Sequence, residues 1–262
     1  MSKLQFDYQM DLKYSNLIDK CHFTIKCIPG NSVRQQVEEY KIDIDPTTAY
    51  NEGTDSFGNH YIYGSADDSH DSFTFHISGI VSTTNSYECE ANENDKLIFS
   101  HPYGFSVPGD GIREYYETAF ATLHGNDLEK SVAIMNRLYS DFSYMSGSTD
   151  INTTAEEAWS QRKGVCQDYA HIMIALCHLA GITARYVCGL ATGEGKSHAW
   201  VEIIHDNKWY GLDPTNNLLV WDQYIKLGSG RDASDCQINR GIIRGDSGTQ
   251  LQTIIANVSA ID

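Results

Sequence analysis

The hydrophobic pattern of the chain changes near residues 101–111, and this change constrains the fold more than any other sequence feature. Before it, short segments rich in Tyr, Phe, Ile, Val and Thr alternate between apolar and polar residues. After it, apolar residues recur at helical spacing, and strand-like runs return beyond Gly181. The pattern predicts an α+β protein, with an antiparallel β-sandwich in residues 1–100 and a helix packed on an antiparallel sheet in residues 101–262.

The second part of the chain carries clear signals for individual elements. Helices are predicted over residues 112–124, 127–142, 154–162 and 166–180. Thr154 and Glu157 form a candidate capping box, and Gly181 suits the position after a helix end. Three strand-like runs follow: ITARYVCGL, SHAWVEIIH and KWYGLD. The last two are predicted to pair as a hairpin about residues 206–207.

Charge and hydropathy exclude several classes of partner. Asp and Glu number 35 against 19 Lys and Arg, which gives a formal net charge of −16. Nucleic-acid binding needs clustered basic residues, and anionic membranes repel an acidic surface, so neither partner is expected. The first residues, MSKLQFDYQMDLKYSN, lack the apolar run of a signal peptide, and no stretch is apolar enough to span a membrane.

The chain has seven cysteines. An odd number in a chain of this length argues against a disulfide framework, so a reducing cytoplasm is the expected location. No C-x-x-C pair occurs, and a zinc site built from Cys166, Cys177, Cys188 and His198 would have no recognised spacing. We therefore expect no metal and no cofactor. Cys177 and Cys188 are expected to be buried.

The stretch KGVCQDYA places Cys166 at the start of a predicted helix. There the helix dipole and the unpaired backbone N–H groups favour the thiolate, which is the reactive form of cysteine. Gly164 allows a tight turn that leaves the sulfur approachable, and a backbone N–H at the helix start is a candidate oxyanion donor. The alternative is a small buried side chain at a helix start.

A cysteine nucleophile needs a base and a group that orients the base. His198 begins the strand-like run SHAWVEIIH after a glycine-rich stretch, and Asp213 ends the next run, before Pro214. The predicted hairpin would bring Asp213 beside His198, so that one ring nitrogen could bond to the carboxylate while the other faces Cys166. The three residues together predict a Cys–His–Asp triad.

The segments GVCQDYAHIMIALCHLAGITARYVCGL, SHAWVEI and KWYGLDPTNN resemble the core of the transglutaminase-like superfamily, in its bacterial cysteine-protease-like branch. DSFGN at 55–59 is similar to a turn of the β-rich N-terminal region of such proteins, and GSGRDASDCQINRGIIRG at 228–245 is similar to their C-terminal segment. The resemblance implies a papain-like α+β core with the triad Cys166, His198 and Asp213.

It also implies a cysteine hydrolase, a peptidase or amidase, that acts on peptide or glutamine-type amide bonds through a thioester. The triad leaves two alternatives open within the same chemistry, a protein-glutamine acyltransferase or a deamidase, because all share the acyl-enzyme. A binding module that keeps the fold without turnover is the third. The expected partner is a peptide or protein substrate, and the oligomeric state is not predicted.

Several neighbours of the triad are candidate substrate-binding residues. Gln167 is expected either to reach substrate or, with Asp168, to fix the helix start. Trp200 and Trp209 either wall the cleft or pack in the core. Tyr144, in DFSYMSG, matches a recurrent aromatic position of the family, and its hydroxyl is a candidate oxyanion donor. The acidic and basic groups of residues 231–235 are expected to form a structural ion-pair network rather than part of the catalytic machinery.

Overall fold

The computed structural model describes residues 1–47, 49–195 and 197–261. Its strands are β1 (Ser2–Ile18), β2 (Lys20–Ile25), β3 (Gln35–Asp45), β4 (Tyr50–Thr54), β5 (His60–Ala66), β6 (His70–Thr83), β7 (Ser143–Tyr144), β8 (Lys163–Gly164), β9 (Ala184–Ala191), β10 (Gly193–Gly195), β11 (His198–His205), β12 (Lys208–Asp213), β13 (Leu218–Leu219), β14 (Tyr224–Gly230), β15 (Asn239–Arg244) and β16 (Gln250–Ile261). Its α-helices are α1 (Glu93–Phe99), α2 (Asp110–Ala119), α3 (Asp127–Asp141), α4 (Ala155–Gln161) and α5 (Cys166–Leu179).

Two antiparallel sheets, which we call the β-layer, form one side of the molecule. Their strand orders are β10-β16-β1-β6-β3 and β15-β2-β5-β4. Along β1, residues from Leu4 to Leu12 alternate between buried apolar side chains and more accessible polar ones, as expected for a strand with one face on a core. The inward side chains of both sheets form one hydrophobic cluster, as expected of two sheets packed face to face in a β-sandwich.

Both ends of the chain contribute to the β-layer. Strand β16 pairs with β1 over most of its length, with Tyr8 opposite Ala256, and β15 pairs with β2. The division into residues 1–100 and 101–262 stays a prediction, but the strand pairing groups residues 239–261 with the N-terminal strands rather than with the helices. No strand was predicted within residues 239–261, whose partners in the sheets lie near the other end of the chain.

The remaining sheet has the order β13-β12-β11-β9-β14 and is antiparallel throughout. Helix α5 lies against it and is covered on its other sides by α2, α3 and α4, whose side chains share one cluster with the sheet. Residues 168–177 are buried on every side of the helix, although apolar residues at helical spacing predict burial of one face only. The α+β class is confirmed, with a helix packed on an antiparallel sheet.

Two local predictions are confirmed. Thr154 and Glu157 form the predicted capping box, and Gly181 follows α5 with a φ of 75°. Asn92 caps α1 in the same way, with its side chain accepting from the Asp95 N–H. None of the helices among the described residues is long and apolar enough to cross a membrane.

Candidate active site

Cys166 is the first residue of α5 and is partly exposed. The helix start is fixed by Asp168, whose Oδ2 accepts hydrogen bonds from the Val165 N–H at 2.7 Å and from the Thr149 hydroxyl at 2.6 Å. A Cβ at Gly164 would lie 2.5 Å from the same oxygen, so only glycine leaves room for this carboxylate. The sequence predicted that Gln167 either contacts substrate or, with Asp168, fixes the helix start. Asp168 therefore fixes the helix start.

His198 and Asp213 lie on the predicted hairpin, whose strands are joined by residues 206–207. Asp206 and Asn207 have φ angles of 47° and 59°, a left-handed turn that suits the twist of a hairpin. The His198 Nε2 lies 2.7 Å from the Asp213 Oδ2. Cys166 lies near enough to His198 that its charge helps to raise the pKa of the imidazole. The structure thus brings Cys166, His198 and Asp213 together.

Asp213 is fully buried and accepts hydrogen bonds at both oxygens. Besides His198, Oδ2 accepts from the Tyr224 hydroxyl at 2.9 Å and from the Asn216 amide at 2.8 Å. Oδ1 accepts from the backbone N–H groups of Thr215 at 2.9 Å and Asn216 at 3.2 Å. Burial works to raise the pKa of Asp213, but these donors and the charge of His198 outweigh it and lower the pKa.

The electrostatics of the site favour the imidazolium form of His198, whose side chain is only 15% exposed. Burial works to lower the pKa of His198, but the hydrogen bond to Asp213 and the nearby charges of Asp213 and Cys166 overcome it and raise the pKa to about 10. His198 is therefore protonated at neutral pH. It can donate one proton to the carboxylate and hold the other next to the sulfur.

Two of these groups were not predicted from the sequence. Asn216 follows closely on Asp213 in DPTNN, and a short polar residue near a buried carboxylate is a usable signal. Tyr224 lies on β14, which is separated from β12 in the sheet by two other strands. Nothing local in the sequence distinguishes it from the other tyrosines.

Trp200 and Trp209 occupy different regions of the protein. Trp200 has no exposed surface and packs behind the site, with its ring centroid 6.4 Å from His198 and 5.5 Å from Tyr224. A side chain without accessible surface offers no face to a substrate, which corrects the predicted substrate contact of Trp200 to a packing role. Trp209 lies at the turn end of the hairpin, 5.6 Å from Phe99, and is likewise a core residue.

Gln167 and Tyr144 lie on accessible surface near Cys166. Gln167 is partly exposed and lines a cavity of about 370 Å³ beside the site. Tyr144 is 59% exposed and pairs through its backbone with Gly164. Burial raises the pKa of Tyr144, and so does the nearby charge of Cys166. Substrate contact by Gln167 and an oxyanion role for Tyr144 both stay predictions.

Other cysteines and charged groups have structural surroundings. Cys177 and Cys188 are buried, as predicted. Arg231 bonds through its side chain to Asp235 at 2.8 Å, in the expected ion pair. Asp232 is buried and accepts from the Phe105 N–H at 2.8 Å. These contacts agree with the predicted ion-pair and turn network.

Comparison with known proteins places this site within a family. A family model described as the transglutaminase-like superfamily matches residues 115–214, and one described as the bacterial transglutaminase-like N-terminal region matches residues 4–82. An uncharacterized protein of Mycobacterium tuberculosis (strain ATCC 25618 / H37Rv) is 30% identical over 274 residues, which cover 92% of this chain and 87% of that protein. The chain therefore belongs to the transglutaminase-like superfamily and carries its bacterial N-terminal region.

Two further proteins extend the comparison. An uncharacterized protein of Mycobacterium leprae (strain TN) is 35% identical over 126 residues, which cover 44% of this chain and 45% of that protein. A crystal structure described as that of a candidate cysteine protease from Cytophaga hutchinsonii has a TM-score of 0.82 and 21% identity, covering 100% of this chain and 91% of that one. The second match shows that the two chains share a fold.

Proposed function

We propose that the protein is a cysteine hydrolase, a peptidase or amidase, that cleaves peptide or glutamine-type amide bonds through a thioester on Cys166. The observation that carries the proposal is the position of His198, which bonds to Asp213 at 2.7 Å and lies near enough to Cys166 for the charge of Cys166 to help raise its pKa. A nucleophile, a proton donor and a carboxylate that orients the donor are the parts that acyl transfer through cysteine requires.

In the proposed acylation step, the Cys166 sulfur attacks the carbonyl carbon of the substrate. The C–N bond breaks as the His198 imidazolium donates its proton to the departing amine. Asp213 keeps its charge throughout, holds the ring orientation and stabilises the imidazolium. The backbone N–H at the start of α5 is the proposed donor to the oxyanion, with the Tyr144 hydroxyl as the proposed second donor.

In the proposed deacylation step, water attacks the thioester. Neutral His198 accepts a proton from this water, the C–S bond breaks, and a carboxylate product leaves. The raised pKa of His198, about 10, supports the first step, because the ring is charged when the amine departs. A primary amine in place of water would give transamidation. The cytoplasm and a peptide or protein substrate remain part of the proposal.

The test is mass spectrometry of a diverse peptide mixture incubated with the protein and with a Cys166→Ala variant, each with and without a primary amine. We expect cleaved peptides or deamidated glutamines only with the intact thiol, and a loss of several powers of ten in Cys166→Ala. Cys89→Ala is the matched control, since Cys89 is also a partly exposed free thiol but lies outside the triad.

Five outcomes separate the alternatives. New peptide termini that depend on Cys166 support a peptidase, and glutamate formed at glutamine positions supports an amidase. Amine adducts that replace hydrolysis would assign the protein as an acyltransferase instead. Equal turnover by Cys166→Ala and the unmodified protein would overturn the proposal, and no turnover by either would favour a binding module on the same fold.

A further inference from the structure

Strand β16 is paired along one edge and only partly along the other. The edge towards β1 pairs over residues 250–261. The opposite edge pairs with β10 at residues 256–258, and no other strand within residues 1–47, 49–195 and 197–261 pairs with it. In an antiparallel sheet, backbone N–H and C=O groups point alternately to the two edges of a strand. Residues 250–255, which we call the open edge, therefore present backbone groups to a further strand.

The open edge lacks the residues that normally protect an edge strand. Exposed edges usually carry charged residues or proline, because an unprotected edge pairs with other chains. Strand β3, at the opposite end of the same sheet, has charged residues throughout its sequence QQVEEYKIDID. Strand β16, with the sequence QLQTIIANVSAI, has neither a charged residue nor a proline. The open edge is also accessible, since Leu251 is 66% and Ile255 is 48% exposed.

The open edge borders the cavity beside the proposed catalytic residues. Gln252 and Ile254 line this cavity of about 370 Å³ together with Gln167, the neighbour of the proposed nucleophile, and Ser197, which precedes His198. These four lining residues all have accessible surface. A peptide in the cavity would therefore contact the open edge and the surroundings of the triad at the same time.

Strand β10 shows the line that such a peptide would follow. Gly195 at the end of β10 pairs with Ala256, which adjoins the open edge. The chain then leaves the β-layer, and His198 starts β11 in the sheet that packs on α5. The position beside residues 250–255 thus continues the line of β10, and a strand placed there would have one end near Ser197, next to the triad.

The cavity selects against charged side chains but not against a peptide backbone. Every lining residue in the described part of the chain is uncharged at neutral pH. A charged side chain that entered would lose its hydration without meeting an opposite charge. The N–H and C=O groups of an extended peptide would instead exchange water for hydrogen bonds to the open edge.

We propose that the open edge binds the substrate backbone as an additional β-strand and so brings a peptide bond to Cys166. The proposal rests on the proposed hydrolase function and gives its substrate class: extended peptide segments with uncharged side chains, recognised through the main chain. The six residues of the open edge span about 20 Å, which is enough to pair with a segment of similar length. The β-layer then forms one wall of the substrate site.

The first test measures binding without turnover, by calorimetric titration of the Cys166→Ala variant. The probe is Ac-Val-Thr-Val-Thr-Gln-Gly-NH₂, which is uncharged and has high strand propensity. Two copies of it are N-methylated, one at both valines and the other at both threonines. Because a strand pairs with its neighbour through every second residue, one copy should bind roughly tenfold to a hundredfold more weakly and the other as tightly as the probe. Equal affinities for all three peptides, equal losses in both copies, or no binding of the probe would overturn the proposal.

The second test locates the bound peptide by amide hydrogen exchange. The probe should slow exchange within residues 250–255 and leave exchange in β3, the other edge strand of the same sheet, unchanged. Protection that excludes residues 250–255 would overturn the proposal. Protection of residues 250–255 before the probe is added, in a protein that sediments as a dimer, would assign the open edge to a second copy of the chain instead.

The third test adds the missing protection to the edge. In the Cys166→Ala background, Gln252→Lys places a charge on the open edge, and we expect it to weaken binding of the probe at least tenfold. Gln36→Lys is the matched control, because Gln36 is also an exposed glutamine on an edge strand, and it should leave binding unchanged. Both variants should unfold at the temperature of the Cys166→Ala parent. Unchanged affinity in Gln252→Lys would contradict the proposal.

Failure of the open edge and failure of the hydrolase proposal give different results. Alternating sensitivity to N-methylation, with no Cys166-dependent turnover of any peptide, would retain the open edge as a binding site and reject the hydrolase. Turnover that depends on Cys166 but is the same in Gln252→Lys, and is insensitive to N-methylation of the probe, would retain the hydrolase and reject the open edge.

Discussion

The triad and the cavity beside it differ in how the chain assembles them. Cys166, His198 and Asp213 come from one continuous region, from the start of α5 to the end of a hairpin with a two-residue turn. The cavity instead combines Tyr8 with Gln252, from opposite ends of the chain. The proposed chemistry thus depends on local elements, whereas the cavity depends on strand pairing between distant segments.

This difference separates the roles expected of the two regions. Changes at the triad should alter the chemistry of Cys166 even when the protein is fully folded. Changes in the core of the β-layer should lower the stability of the fold but leave the thiol as reactive as before. Alkylation by iodoacetamide reports on the thiol without a substrate, and urea unfolding reports on the fold, so the two roles can be measured independently.

The largest effect is expected from Asp213→Asn, which keeps the shape of the side chain but removes its charge. His198 then loses the partner that contributes most to its raised pKa, and its imidazolium form is no longer favoured near Cys166. Alkylation of Cys166 at pH 6 should slow by roughly ten- to a hundredfold, since little thiolate forms there without a cationic neighbour. An unchanged rate would show that the pair does not activate the thiol.

The same variant has a defined effect on stability against pH. His198 binds its proton more tightly in the folded protein, with a pKa of about 10 against 6.5 in the ordinary state. Its contribution is therefore complete below pH 6.5 and is lost as the pH rises towards 10. The loss of unfolding free energy in Asp213→Asn should be about 3 kcal/mol at pH 5–6 and should shrink at pH 9. A loss that grows with pH would contradict this.

The next effect, in the β-layer, is on stability alone. Ile62 on β5 has no exposed surface and does not line the cavity. Ile62→Ala should lower the unfolding free energy by about 2–5 kcal/mol, because it removes buried methyl groups and leaves a void. Alkylation of Cys166, measured without denaturant, should not change. A slower reaction in the folded variant would show that the two regions are coupled more tightly than their assembly suggests.

How well each region could be predicted follows from the same contrast. Local signals located α4, α5 and the hairpin. The Thr154 capping box, Gly181 and the turn residues 206–207 each fix the backbone of only a few neighbouring residues, so their effect can be read from the sequence. The triad followed from these elements, since the hairpin register brings Asp213 near His198. Neither β16 nor its pairing with β1 was predicted, because local patterns do not show which distant segment a strand will pair with.

Individual site residues show the same limit. Trp200 was a candidate for the wall of the cleft, but its side chain has no exposed surface. Tyr8 gave no signal, since a strand tyrosine is ordinary, and only the tertiary structure places it beside the cavity next to the site. Tyr224 was missed for a related reason: its contact with Asp213 crosses the sheet from β14.

The smallest effect is expected at Tyr224, where the change is again a single hydroxyl. Its hydroxyl donates at 2.9 Å to the Asp213 Oδ2, which also accepts from His198 and Asn216. Tyr224→Phe leaves those donors in place, so Asp213 stays charged but is held less firmly. The unfolding free energy should fall by about 1.5 kcal/mol, the lower range for a hydrogen bond to a charged group.

The rate of Cys166 alkylation at pH 6 should fall only a few-fold in Tyr224→Phe, because the carboxylate charge that stabilises the imidazolium is retained. Tyr14→Phe serves as the control, since it removes the hydroxyl of another buried tyrosine from the β-layer, and it should leave the rate unchanged. A loss in Tyr224→Phe equal to that in Asp213→Asn would mean that orientation of the carboxylate, rather than its charge, sets the reactivity of the thiol. That result would place β14 beside the hairpin as a third element on which the chemistry depends.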